Sequence, residues 1–161
     1  MSDGVPSIVD LNEQVISTLG AVRGLLGEGV VSSASLAPEL APVRVDPSTI
    51  QEVILHLVTN ALKSAPSVNN LLLETDNVRI EREEAYGELG LTLGEYVRLT
   101  ISDIGIAPNS VNGLPPHCSN GLFLAPVYAF AKRNGGTATI RYGPRRGIVL
   151  CLYLPRALPP P

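Results

Sequence analysis

Apolar residues return at helical spacing along three stretches of the chain. Between residues 10 and 26, Val15, Leu19, Val22 and Leu26 fall on one stripe, which predicts an amphipathic helix. Asp10 stands at the N-cap position, Glu13 follows at capping-box spacing, and Gly27 and Gly29 supply the stop. Ile8 and Val9, just ahead, read as a short strand. A second helix opens at Asp46-Pro47, with Asp as cap and Pro in the first turn. Ile50, Ile54, Leu57 and Ala61 form its apolar face, and it runs to about Ala65, where Pro66 ends it. A third helix is predicted near residues 121–134, with Leu124, Val127, Tyr128 and Ala131 on its stripe and Gly135-Gly136 as terminator.

Between the helices the pattern changes to period two. Residues 96–103 alternate, with Val97, Leu99 and Ile101 on one face and Arg98, Thr100 and Ser102 on the other. Residues 70–83 are also strand-like, and the two segments form a predicted hairpin. VVSSASLA at 30–37 reads as a strand, and PELAPVRVDP as a turn with a short extended piece. TATIR and GIVLCLYL, joined by the turn YGPRR, close the chain. Residues 104–120 are irregular and rich in Pro, Gly, Ser and Asn. Three helices over an antiparallel-leaning mixed sheet predict an α+β fold, a two-layer sandwich.

Composition narrows the class. The chain has 161 residues, a length that suits one domain with a real core. We assign it to residues 1–157, with 158–161 as a Pro-rich tail; LPRALPPP is not expected to continue a strand or helix. The net charge of −3 argues against a nucleic-acid binder, which needs a basic face. Mean hydropathy of +0.22 with 17% charged residues argues against disorder. Without Trp, the core must be built from Leu, Val, Ile and Ala. Cys118 and Cys151 cannot make a disulfide framework, and two free thiols, with Cys151 buried in its apolar run, is the simpler alternative to one bridge. No apolar run reaches the roughly 18 residues of a membrane span, and the first residues lack a signal-peptide pattern, so a cytoplasmic location without membrane contact is expected.

The second helix carries the most suggestive polar pattern. His56, Asn60 and Lys63 fall on one stripe at i, i+4 and i+7. That stripe fits a solvated face, and it equally fits a site where Asn ligates a hard cation and Lys meets phosphate oxygens. Asp103 ends the alternating strand and is followed by Ile104 and Gly105. A carboxylate there can accept from an amino group such as that of adenine, although for Asp-x-Gly alone a simple turn is the commoner explanation. Gly121, entering the third helix, can present backbone N–H groups to an anion. His117 beside Cys118 is too few ligands for a metal centre.

Taken in order, VILHLVTNALKSAP, ISDIGI and GLFLAPVYAFAKRNGGTATIRYGPRRGIVLCLYLP resemble the Asn box, first glycine box and second glycine box of the histidine-kinase ATP-binding domain, the Bergerat or GHKL fold. The resemblance covers about residues 8–156. It implies ATP and Mg²⁺ as cofactors, with Asn60 as metal ligand, Lys63 at the phosphates, His56 in place of a first Asn, Asp103 on the adenine amino group, and Gly105, Gly121 and Leu122 in the glycine boxes. The implied function is transfer of the ATP γ-phosphate to a His on a separate dimerisation domain in two-component signalling, with a response regulator downstream. The implied alternatives are a degenerate kinase-like docking module or a stand-alone anti-sigma-factor-type kinase. No H-E-[LIF]-x-x-P phosphoacceptor motif is present, so a piece of a larger sensor, monomeric or weakly dimeric, is expected.

The chain also departs from that family. After Gly105, either Ala107 replaces a glycine or Ile106 fills the Ile position after a deletion. The second box reads Ser119-Asn120-Gly121-Leu122-Phe123-Leu124, with two glycines lost and a bulky ring where backbone should approach phosphate. Pro126 removes a backbone donor near the helix start, and residues 106–120 are short for the family's lid. Weakened nucleotide binding is the expectation.

Overall fold

A computed structural model describes residues 5–26, 31–64, 70–81, 90–103, 125–142 and 148–157. In chain order these form β1 (Ser7–Val9), α1 (Leu11–Leu26), β2 (Val31–Ser35), β3 (Val43–Val45), α2 (Pro47–Ser64), β4 (Asn70–Ile80), β5 (Gly94–Asp103), α3 (Ala125–Arg133), β6 (Thr137–Tyr142) and β7 (Ile148–Pro155).

The helix ends follow their caps. Asp10 Oδ1 accepts from the Asn12 N–H at 2.9 Å, starting α1. Asp46 Oδ1 accepts from the Ser48 N–H at 3.1 Å and Oδ2 from the Thr49 hydroxyl at 2.7 Å, starting α2. The predicted stop at Gly135-Gly136 is a Schellman motif. Gly135 takes φ +81°, its N–H reaches the Lys132 carbonyl at 3.2 Å, and the Gly136 N–H reaches Ala131 at 2.7 Å. Gly136 then passes so close to the Tyr153 carbonyl that a Cβ there would lie 1.8 Å from the oxygen.

Five strands form one sheet in the order β2-β4-β5-β7-β6, and β1 pairs with β3 in a separate two-stranded ribbon. Only β2 and β4 run parallel, through the crossover that carries β3 and α2; the other pairs are antiparallel. All three helices pack on one face. Leu19, Val22, Ile54, Leu57, Val127 and Phe130 share a single core with Leu71, Leu99, Ile101 and Leu152 of the sheet. Inward positions of β4 turn polar beyond the helices. Thr75 Oγ1 donates to Asn12 Oδ1 at 2.6 Å and accepts from the Ala37 N–H at 3.0 Å, and Asn77 Oδ1 accepts from the Ala41 N–H at 2.9 Å. These bonds tie α1 and the 36–41 segment to the sheet.

Some expectations shift. Tyr128 is 48% exposed and Phe130 takes the buried place on α3, because four apolar neighbours leave the centre of the buried arc ambiguous to periodicity. Leu154 and Pro155 continue β7, and Arg156 bridges to Val43, so the closing strand extends into LPRALPPP, contrary to expectation; the tail itself, residues 158–161, lies outside the described residues. Pro126 falls in the first turn of α3 as described, where an N–H has no intrahelical partner to lose. Cys151 is a buried free thiol, but on the sheet face away from the helices, with Ile80, Leu91, Tyr96 and Tyr153. Cys118 lies outside the described residues. Among the described residues no helix is long and apolar enough to cross a membrane.

Candidate functional site

Three features of the sequence converge at one end of the sandwich. Asp103, the last residue of β5, pairs in register with Leu71 at the start of β4, and Ser102 pairs with Val149 at the start of β7. The chain leaves α2 at Ser64 and enters β4 at Asn70, so the C-terminal half of α2, with Asn60 and Lys63, lies toward that same end. Helix α3 runs into β6 at Thr137, and β6 ends opposite Ile148. The N-terminus of α3 therefore also points to the Asp103 end.

The stripe on α2 has a definite side. Gln51, on the other flank, donates from Nε2 to Gln14 Oε1 of α1 at 2.7 Å. The third helix also packs on α2 and on β6 and β7, and by helical spacing the backbone positions 56, 60 and 63 fall on a flank of α2 different from that of Gln51. Val53, Val127 and Ala131 are buried in the core that α2 and α3 share. His56 is half-buried and has a partner of its own. Asn60, Lys63 and Asp103 are placed by their backbone positions, their side chains lying outside the described residues, as do Gly105, Gly121 and Leu122 altogether.

A second polar constellation was not visible in the sequence. On the sheet face away from the helices, Arg98 Nε donates to Asp76 Oδ1 at 3.0 Å and Nη2 to Oδ2 at 2.6 Å, a bidentate pair across β4 and β5. The Arg98 guanidinium also lies 5.9 Å from the centre of the Tyr153 ring. The bond to Asp76 holds Arg98 well above its ordinary range, against the opposing effect of burial, so it is charged at every accessible pH. Period-two alternation assigned these residues to one face, but only the strand register brings them together.

A mixed sheet of this strand order with three helices on one face is the fold of the histidine-kinase ATP-binding domains. The chain superposes on the ATP-binding domain of PrrB from Mycobacterium tuberculosis with a TM-score of 0.68 at 20% identity, covering 95% of this chain and 98% of that one. It superposes on the Acinetobacter baumannii histidine kinase AdeS with a TM-score of 0.62 at 18% identity, over 96% of this chain and 69% of that one. Full-length ShkA in complex with AMPPNP matches with a TM-score of 0.66 at 17% identity, over 97% of this chain and 32% of that one. In sequence, 95% of the chain aligns at 21% identity with the sensor kinase CckA of Brucella abortus (strain 2308), of which it spans 17%. No family model matches the chain.

Proposed function

We propose that the chain is the ATP-binding catalytic domain of a sensor histidine kinase, acting with a separate phosphoacceptor domain and a response regulator. The observation that carries this reading is the convergence of the α2 flank, the end of β5 and the N-terminus of α3 at one end of a sandwich with this fold. The adenine of ATP would lie against Asp103, and the phosphates of the nucleotide would run between α2 and α3 toward Lys63 and the positive end of α3. The carboxamide oxygen of Asn60 is an uncharged donor, which suits a hard cation that arrives with phosphate charge. Asn60 would hold Mg²⁺ there, and the ion would supply neutralisation of the phosphate oxygens. The protein's own contribution to phosphoryl transfer would be positioning of the nucleotide.

A second reading, a degenerate module that docks rather than phosphorylates, is favoured by Phe123 and the two glycines missing around it. Calorimetric titration with Mg-ATP separates the two. The catalytic reading expects saturable binding that Asn60→Ala and Asp103→Ala each abolish. No heat at millimolar nucleotide would overturn it in favour of the docking module.

A further inference from the structure

At the end of the sheet opposite Asp103, the charges do not all pair. Strands β4 and β5 set two oppositely charged couples directly across from each other, Asp76 with Arg98 and Arg79 with Glu95. The first couple closes through two hydrogen bonds. The second stays open, because Glu95 is taken from its other side. Arg156, just beyond β7, donates its backbone N–H to the Glu95 carbonyl at 3.0 Å and Nη1 to Oε2 at 2.9 Å. The Arg156 backbone is itself held by the bridge to Val43. Arg79 is exposed and, among the described residues, has no ion-pair or hydrogen-bond partner. Glu81, two residues further on, has a partner of its own.

Arg79 and Arg156 border one cavity of about 320 Å³, with Asn77, Val78, Glu95 and Tyr96. The other polar side chains of this lining are spent. Asn77 accepts from the Ala41 N–H and donates to the Glu39 carbonyl, and the Tyr96 hydroxyl donates to the Thr92 carbonyl. What stays available is the Arg79 guanidinium and the N–H groups of Arg156 that Glu95 does not use, and these only donate. Among the described lining residues, two guanidiniums stand against one carboxylate, which leaves one positive charge in excess.

We infer that this cavity binds a small organic monocarboxylate. A carboxylate accepts through both oxygens and matches the guanidinium fork of Arg79, and its single charge balances the lining. A dianion would carry its second charge against Glu95, and an ammonium would meet two guanidiniums. The cavity is at the small end of the range for ligand sites, which fits a body of a few carbons. Glu95 and Asp103 lie near the two ends of β5, roughly 27 Å apart along the strand. The site therefore does not depend on nucleotide binding at the Asp103 end.

The probe is sodium propionate, titrated into the whole chain at constant ionic strength and followed by backbone amide shifts. Saturable shifts within residues 77–80, 94–96 and 155–157 are expected, with propionamide giving none there. Arg79→Gln weakens binding by about threefold or more, the scale of an exposed charge pair, while the Tm stays level because no native partner is lost. Glu95→Gln tightens binding, because it removes the one opposing charge. Arg23→Gln, which removes an exposed arginine in the last turn of α1, leaves the affinity unchanged. Equal shifts from propionamide, wild-type affinity in Arg79→Gln, or binding that fails to tighten in Glu95→Gln would each overturn the proposal. So would an equal loss in Arg23→Gln, which would mean an adventitious ion only.

Discussion

The two faces of the five-stranded sheet come from alternate residues of the same strands, and they obey different rules. Toward the helices, Leu71, Leu73, Val97, Leu99, Ile101, Leu150, Leu152 and Leu154 have no exposed surface. Away from them, the intervening positions hold Glu74, Asp76, Arg98, Thr100, Cys151 and Tyr153, joined by ion pairing and ring contact around a cavity. On the covered face any well-packed aliphatic residue of the right volume would serve, because burial is non-directional. On the open face, geometry and charge make each residue specific to its partner. The second face also holds a smaller buried cluster of Ile80, Leu91, Tyr96, Cys151 and Tyr153. Most of the apolar burial thus lies on one face and the charged and hydroxyl partners on the other, and this division can be tested.

The largest effect belongs to the covered face. Leu99 sits at the centre of the middle strand with no exposure. Leu99→Ala should cost about 2–5 kcal/mol, the range for truncating a buried leucine in a core that relaxes only partly. Urea unfolding reads this as a lower midpoint at unchanged slope. A loss below about 1 kcal/mol would mean that the helices are not firmly seated on the sheet.

Next comes the polar tie at the edge of that face. Thr75→Val keeps the shape but removes the acceptor of the Ala37 N–H and the donor to Asn12. Leaving buried partners unsatisfied should cost about 1–3 kcal/mol. Faster amide exchange at Ala37 would localise the damage to the 36–41 segment, while uniform loss of protection across the sheet would assign Thr75 to global stability instead.

These two positions also show what was legible in the sequence. Leu99 announced itself, because period two fixes which side of a strand is buried. Asp46 and Gly135-Gly136 announced helix ends, because their chemistry is local. Thr75 read only as one more polar residue, since its partners are 38 and 63 positions away. Arg98 and Asp76 were likewise placed on faces but not matched: sliding β4 by two residues would keep every face and separate the pair. For the proposed nucleotide site, the stripe on α2 and the end of β5 were legible as separate features. Their arrival at one end follows from strand direction, which no local pattern states.

A smaller effect is expected at the start of α2. Asp46→Ala removes a cap that serves the Ser48 N–H and the Thr49 hydroxyl. The expected cost is about 1 kcal/mol, measured by thermal or urea unfolding. Because α2 carries residues of the covered face at its start and the proposed nucleotide site at its far end, this variant should lower stability without altering Mg-ATP affinity. A parallel loss of affinity would mean that fraying at Asp46 propagates four turns to Asn60, so that the helix does not act as an independent scaffold for that site.

The smallest effect tests the open face directly. Arg98 and Asp76 keep 34% and 44% of their side-chain surface exposed, so solvent screens the pair despite its bidentate geometry. Asp76→Ala should therefore cost no more than about 1 kcal/mol, and less at high salt. Arg98 keeps its contact with Tyr153 and can rehydrate on the side that Asp76 leaves. A buried pair behaves otherwise: removing one partner strands a charge and costs about 3–5 kcal/mol. A loss of that size here, insensitive to salt, would show that something covers this face in solution, and the contrast between the two faces would fail at the point where it is sharpest.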